Sequence, residues 1–259
     1  MEVLFFVGVV FALYLWFRFF NAIFRVRQFR PHYTHRILSA ILPWLCLVFI
    51  VVVLLRESAS DVRTDIGWIA GYTIGGAVWL QLGLILLSCL GVAARDDVFE
   101  RQNPAAAWLV YGAMAGTTFC YAGSKIGNGP GPDVVLFCAV LSTTFLFAFW
   151  SVLERSFRLA DRITIERDES VGIRAGGWIA SLGLIFGGAV AGDWVSVEGT
   201  IRDFFRYAWV ALLFLFTAIL IEALFKKPKR GTSNRSTSAI LAFIYVATAA
   251  GYVAWRGVH

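Results

Sequence analysis

The sequence predicts an all-α, polytopic transmembrane helical bundle of about eight spans, with parallel two-helix internal repeats. Of the 259 residues, 59% are hydrophobic and only 15% are charged, whereas soluble domains carry about 25% charged residues. The mean hydropathy is +0.72, and long uncharged stretches separate the charged residues. A soluble domain of this size needs far more polar surface, so that class is excluded. Continuous apolar runs also favour helices over the short alternating segments of a membrane β-barrel.

Eight apolar stretches approach the roughly 20 residues that a helix needs to cross the hydrocarbon. Six of them contain no charged residue: 37–55, 66–94, 102–124, 134–153, 175–192 and 236–255. Two more are interrupted by charges: residues 3–17 are followed by Arg18, and residues 207–221 lie between Arg206 and Glu222. Such a charge can reach the headgroups, so both stretches are also predicted to span. The first stretch has neither a basic segment before it nor a small-residue cleavage site, which predicts a retained helix.

The positions of lysine and arginine predict the orientation. The loops after spans one, three, five and seven hold 17 of the 23 basic residues, and the other segments hold six. Because basic residues accumulate in cytoplasmic loops, both termini are expected outside the cell, with the basic loops in the cytoplasm. The formal net charge of +6 then indicates a cytoplasmic face that contacts anionic lipid headgroups. No nucleic-acid partner is expected, since no soluble basic domain is present to bind it.

Similar segments recur along the chain and predict a duplication. Glu100-Arg101 precedes the fourth span, and Glu166-Arg167 precedes the sixth, 66 residues later. With a one-residue gap, four small residues of one span align with four of the other: Gly112, Ala115, Gly123 and Gly127 with Gly177, Ala180, Gly188 and Gly192. Each unit contains two spans, so successive copies keep one orientation, unlike inverted repeats.

This organisation divides the chain into four segments. Residues 1–60 hold two N-terminal helices and a basic loop. Residues 61–130 and 131–200 hold the two repeats, and residues 201–259 hold a C-terminal helix pair that resembles a decayed third repeat.

The segment from Asp97 to Ala107, which enters a glycine- and alanine-rich helix, resembles a recurring signature of the YjfL-like bacterial inner-membrane proteins. In that family of unknown function, an acidic or polar loop, an asparagine and a short alanine run open a glycine-rich span. The match is best from Asn103 to Ala107, and the second copy departs from it at Glu169-Ser170-Val171-Gly172. The resemblance covers residues 66–225. It implies an inner-membrane location, tandem copies and an envelope role, but no reaction.

Two glutamates are candidates for function because of their unfavourable positions. Glu154 and Glu222 follow long apolar runs, at predicted helix C-termini where the helix dipole disfavours a carboxylate. We expect both to occupy equivalent places and to pair with arginines such as Arg155, Arg101 and Arg167. The alternative is a cytoplasmic cation or proton site.

Five further polar residues have structural interpretations. Glu100, Glu166 and Glu169 lie at predicted helix starts, where the dipole stabilises carboxylates. Asn103 precedes Pro104 and is expected to cap the fourth helix. Gln81 lies inside the third span and is expected to bond to a neighbouring helix, with a polar path as the alternative.

The glycines favour a structural interpretation as well. Pairs spaced four residues apart are typical of close helix packing. The glycine-rich run 123–132 has the wrong order of glycine and lysine for a phosphate-binding loop, so a rigid external turn is expected.

No metalloprotease helix or serine-nucleophile motif occurs in the sequence, so neither enzymatic activity nor a cofactor or metal is expected. The sequence predicts a non-enzymatic, envelope-associated scaffold or sensor. It would present the charged cytoplasmic loops 95–104 and 154–174 to a soluble partner, and a homo-oligomer stays open. The alternative is a small-solute or ion channel or transporter built from parallel repeats, with Gln81, Glu154 and Glu222 near its path. The two differ in whether these residues converge on a hydrated cavity.

Overall fold

The computed structural model describes residues 2–25, 33–129, 131–225 and 235–257, in which the chain forms helices and no β-strand. In chain order the helices are α1 (Glu2–Arg25), α2 (Tyr33–Glu57), α3 (Ser60–Thr64), α4 (Ile66–Cys89), a π-helical segment (Ala94–Glu100), α5 (Pro104–Gly123), α6 (Pro132–Phe157), α7 (Leu159–Thr164), α8 (Glu169–Val190), α9 (Val197–Ala208), α10 (Val210–Leu224) and α11 (Arg235–Arg256). The predicted all-α architecture is confirmed.

Six helical stretches among the described residues are long and apolar enough to cross a membrane. They lie in α2, α4, α6, α8, the continuous α9–α10 stretch and α11. Two predicted spans are not among them. The apolar part of α1, Val9–Phe24, is shorter. Helix α5 has 20 residues, enough for about 30 Å, but is rich in glycine, alanine and threonine.

Helices α5 and α8 form the centre of the bundle, and most of their residues are buried. Gly112 lies against the backbone of Gly176, and Gly123 against that of Gly187. Because the residue numbers rise together, the two helices run parallel. A Cβ atom at either Gly112 or Gly123 would lie well inside the contact distance of the facing carbonyl oxygen. Glycine therefore permits a backbone-to-backbone approach here, as the spacing predicts.

The two central helices begin with side-chain caps. Asn103 Oδ1 accepts hydrogen bonds from the Ala105 and Ala106 amides at 3.0 and 3.4 Å, and Pro104 takes the first helical position, so the predicted cap is confirmed. Asn103 Nδ2 also donates to the Ile163 carbonyl at 2.6 Å. Asp168 caps α8 in the same way. The Asn103 side chain thus caps the N-terminus of α5 and links α5 to α7.

The backbone before α5 recurs before α8 at a separation of 65 residues. The amides of Asn103 and Asp168 donate to the carbonyls of Asp97 and Arg162, respectively. Other equivalent pairs have the same separation: the bonds Arg101 to Asp96 and Glu166 to Asp161, the left-handed Gln102 and Arg167, and the left-handed Gly127 and Gly192. Two approaches to parallel helices therefore share one backbone conformation.

The connecting segments collect at two ends of the bundle. The basic end, named for its five arginines although it also holds eight acidic residues, comprises residues 93–103, 158–169 and 222–225. The cavity end comprises residues 57–65, 124–129 and 191–196. At the cavity end, the Gly127 amide donates to Glu57 and the Gly192 amide to Ile126, at 3.1 Å each. Helix α1 ends at the basic end, where Phe19 contacts the Phe99 ring at 5.1 Å between centroids. Helix α11 runs from the basic end to the cavity end.

Candidate functional site

Glu222, near the end of α10, is 4% exposed and binds two arginines at the basic end. Arg174 of α8 donates from Nε to Oε1 at 2.7 Å and from Nη2 to Oε2 at 3.0 Å. Arg162 of α7 donates to Oε2 at 2.9 Å and to Asp168 at 3.4 Å. Arg174 also donates to Ser238 of α11 at 2.9 Å. Two acids and two arginines balance in charge and tie four helices together.

The expected pairing of Glu222 with arginine is thus confirmed, but the partners are Arg162 and Arg174. None of the three arginines named from the sequence takes part: Arg101 pairs with Asp97 at 3.0 Å, while Arg155 and Arg167 are exposed. A two-point arginine–carboxylate contact has a fixed geometry. The arrangement is therefore suited to holding helices in place.

The expectation for Glu154 is wrong. Its side chain is half-buried and forms no ion pair with any arginine or lysine that the structure describes. The nearby Arg158 pairs with Asp161 instead, at 2.6 Å. Water can reach a carboxylate at this position, so no protein partner is needed. Glu154 and Glu222 are not equivalent.

The remaining acidic candidates do not converge on one site. Glu100 forms an exposed pair with Arg95 at 3.0 Å, and Glu166 is exposed. Glu169 accepts a hydrogen bond from Trp108 Nε1 at 3.2 Å and pairs with Arg235 at 2.6 Å. It thereby links α5, α8 and α11.

Gln81 is buried within α4, and its Nε2 has no hydrogen-bond partner among the described residues. The expected bond from this amide to a neighbouring helix is therefore not formed. Gln81, Glu154 and Glu222 also line neither of the two cavities at the ends of the bundle, of about 260 Å³ and 20 Å³.

The larger cavity, of about 260 Å³, lies at the cavity end between α3, α4, α6, α9 and the end of α11. Lys125 lines it and is only 5% exposed. The Lys125 Nζ atom lies 3.9 Å from the centroid of the Tyr72 ring and 4.3 Å from that of Tyr121. No carboxylate of the described residues pairs with it. A buried cation without an acidic partner is rare in proteins.

Burial lowers the pKa of Lys125 to about 7, because desolvation penalises the ammonium form. The two tyrosine rings offset part of this cost through cation–π contacts. The second cation of the cavity, Arg256, lies over the Tyr207 ring at 3.7 Å. The other charged residues of the lining are three exposed aspartates: Asp61, Asp193 and Asp203. The cavity thus has a buried cation inside and acidic groups in its exposed lining.

This site was missed by sequence reasoning. The run 123–132 does form a turn, with Gly127 and Gly131 at positive φ, but it also lines the cavity. The available signal was a single lysine within a glycine-rich segment directly after an apolar helix. The basic residues at 226–230, which contributed to the predicted orientation, lie outside the described residues.

No family model, curated protein or solved structure matches the chain. The resemblance to the YjfL-like proteins therefore has no support from these comparisons. What the protein does must be inferred from the two ends of the bundle and the helices that join them.

Proposed function

We propose that this is a non-enzymatic, multi-pass protein of the bacterial inner membrane that acts as an envelope-associated scaffold or sensor. The observation that carries the proposal is the packing of α5 on α8. Their backbones are in contact at Gly112–Gly176 and again at Gly123–Gly187. This close contact leaves little room for a path along the shared axis. A rigid parallel pair instead connects the cavity end mechanically to the basic end.

We infer eight crossings built around two parallel repeats, α4–α5 and α6–α8. The hydrogen bonds that recur 65 residues apart support the duplication, and the parallel direction of α5 and α8 supports its orientation. The excess of basic residues in alternate loops supports a cytoplasmic basic end. Both termini would then lie outside.

The basic end offers a surface of mixed charge to a soluble partner or to anionic headgroups. The exposed pairs Arg95–Glu100 and Arg158–Asp161 lie there. Exposed ion pairs contribute only about 0–1 kcal/mol each, so a partner could replace them at low cost. Arg155, Glu166 and Arg167 are exposed beside them.

The alternative of a channel or transporter expects Gln81, Glu154 and Glu222 to meet at a hydrated cavity. In the bundle none of the three lines the cavity of about 260 Å³ or that of about 20 Å³. Glu222 is closed in by two arginines, Glu154 is half-buried near the end of α6, and Gln81 is buried within α4. Their absence from the lining of either cavity favours a scaffold or sensor.

Ion flux in proteoliposomes tests this choice. We expect the purified protein to move protons and K⁺ no faster than protein-free liposomes, because none of the three residues lines either cavity. Gramicidin serves as the positive control. Flux above background that Glu154→Gln or Gln81→Leu abolishes, while the variant keeps its thermal stability, would overturn the proposal in favour of transport.

A further inference from the structure

Lys125 is a buried cation with which no carboxylate of the described residues pairs. Lys125 is only 5% exposed, yet it lines a cavity and forms no ion pair with a described residue. Buried charges in proteins are normally paired, because an isolated ion loses its hydration without compensation. An anionic group of a ligand would supply the missing partner.

The environment of Lys125 is built to hold its side chain in one place. Tyr72 of α4 and Tyr121 of α5 flank the ammonium group with their rings. Tyr121 in turn donates a hydrogen bond to the Tyr72 carbonyl at 2.7 Å. The amino group is thus fixed at the wall of the cavity, which reduces the entropy lost when a ligand binds.

The size and charge of the cavity define the ligand class. A volume of about 260 Å³ accommodates a molecule the size of an amino acid, since one water takes up about 30 Å³. The exposed Asp61, Asp193 and Asp203 of the lining repel multivalent anions and anionic bilayer surfaces. They tolerate a single carboxylate and favour a ligand that also carries an amino group.

We propose that this cavity binds a small, water-soluble monocarboxylate or zwitterionic amino acid, whose carboxylate contacts Lys125. This inference rests on the proposed sensor function, and it adds the class of ligand that the protein would sense. Binding is measured on the purified protein, so its failure would leave the flux result unaffected.

The experiment measures thermal shifts and binding heats at pH 6.5 with a defined set of probes. The carboxylates are propionate, butyrate, benzoate, glycine, proline and 4-aminobutyrate, and the comparison compounds are butylamine and citrate. We expect saturable binding of one or more of the six carboxylates, with neither comparison compound bound. Absence of binding by all six, or preferential binding of butylamine, would overturn the proposal.

The variant Lys125→Met locates the site. It should lower the affinity for the bound carboxylate by about tenfold or more, since a charge-assisted hydrogen bond is lost. Arg202→Gln is the matched control, because Arg202 is an exposed cation of α9 that does not line the cavity. Its affinity should be unchanged. Equal binding by wild type and Lys125→Met would contradict the assignment.

The Lys125→Met variant is expected to fold. The pKa of Lys125 is about 7 in the folded protein, below the ordinary lysine value of 10.5, so the unfolded chain binds more protons between these values. The stability of the wild type therefore rises with pH across this window, and the cost of burying the ammonium is largest below pH 7. The melting temperature of Lys125→Met should therefore exceed that of the wild type, and this difference should be larger at pH 6 than at higher pH.

The pH dependence of binding provides a readout that a structural role would not change. A bound carboxylate favours the ammonium form, so binding takes up a proton and affinity should fall by up to about tenfold per pH unit above 7. The other titratable or charged groups around Lys125 and its cavity are Tyr72, Tyr121, Cys138, Asp61, Asp193, Asp203, Tyr207 and Arg256. Constant affinity from pH 6 to 9 would show that Lys125 does not hold the carboxylate.

Discussion

Replacement of Gly112 with alanine is expected to lower the free energy of unfolding by about 3 kcal/mol or more, the upper range for overpacking. The added methyl group would overlap the Gly176 carbonyl, and a backbone carbonyl cannot rotate away as a side chain can. Helices α5 and α8 must therefore separate. For a chain of this size the melting temperature in detergent should fall by roughly 10 °C.

Gly71→Ala is the matched control for this prediction. Gly71 is also a helical glycine, in α4, but a Cβ there meets no atom within 4 Å. Alanine has a higher helix propensity, so the variant should be unchanged or more stable by up to about 1 kcal/mol. Equal destabilisation by both substitutions would show that α5 and α8 are not in backbone contact.

The second large effect is expected for Glu222→Gln. The substitution removes the negative charge between Arg174 and Arg162 and leaves the buried Arg174 without a balancing carboxylate. Breaking one partner of a buried ion pair costs about 3–5 kcal/mol. We expect a loss near the lower limit, because glutamine can still accept one hydrogen bond. Thermal or denaturant unfolding in detergent measures it.

Glu154→Gln is the control for Glu222→Gln, with the same chemical change at the end of another apolar helix. Since Glu154 has no ion-pair partner among the described residues, its substitution should change stability by no more than about 0.5 kcal/mol. If the two variants lose similar stability, the charge network does not hold the helices together.

The sequence was informative wherever a local pattern determines the structure. The uncharged run 66–94 predicted a helix, and α4 ends at Cys89 because Gly91 adopts a left-handed conformation. Asn103 followed by proline predicted a cap, which is present. The small residues of α5 and α8 predicted close packing. The helical stretch predicted at 207–221 begins earlier in the structure, because the charged, amphipathic helix α9 starts at Val197.

The parts that could not be predicted depend on contacts between distant residues. Arg174 and Arg162 are 48 and 60 residues from Glu222, and both were assigned to a solvated cytoplasmic loop. Arg174 lies inside α8 and is 3% exposed. Likewise, only the tertiary arrangement shows that Lys125 is buried between two tyrosine rings. A local pattern does not reveal whether a charge next to a helix end faces water or the interior.

Helices α5 and α8 are expected to cross the membrane in the same direction, as the core of two parallel repeats. Sided cysteine labelling in oriented vesicles tests it most directly, in a Cys89→Ala background, because the other three cysteines are buried. Single cysteines are placed before each helix, by Glu100→Cys and Glu166→Cys, and after each helix, by Asn128→Cys and Val195→Cys, all at exposed positions. We expect residues 100 and 166 to react from the cytoplasmic side, and 128 and 195 only from the opposite side. Reaction of residues 100 and 166 from opposite sides would contradict the parallel arrangement.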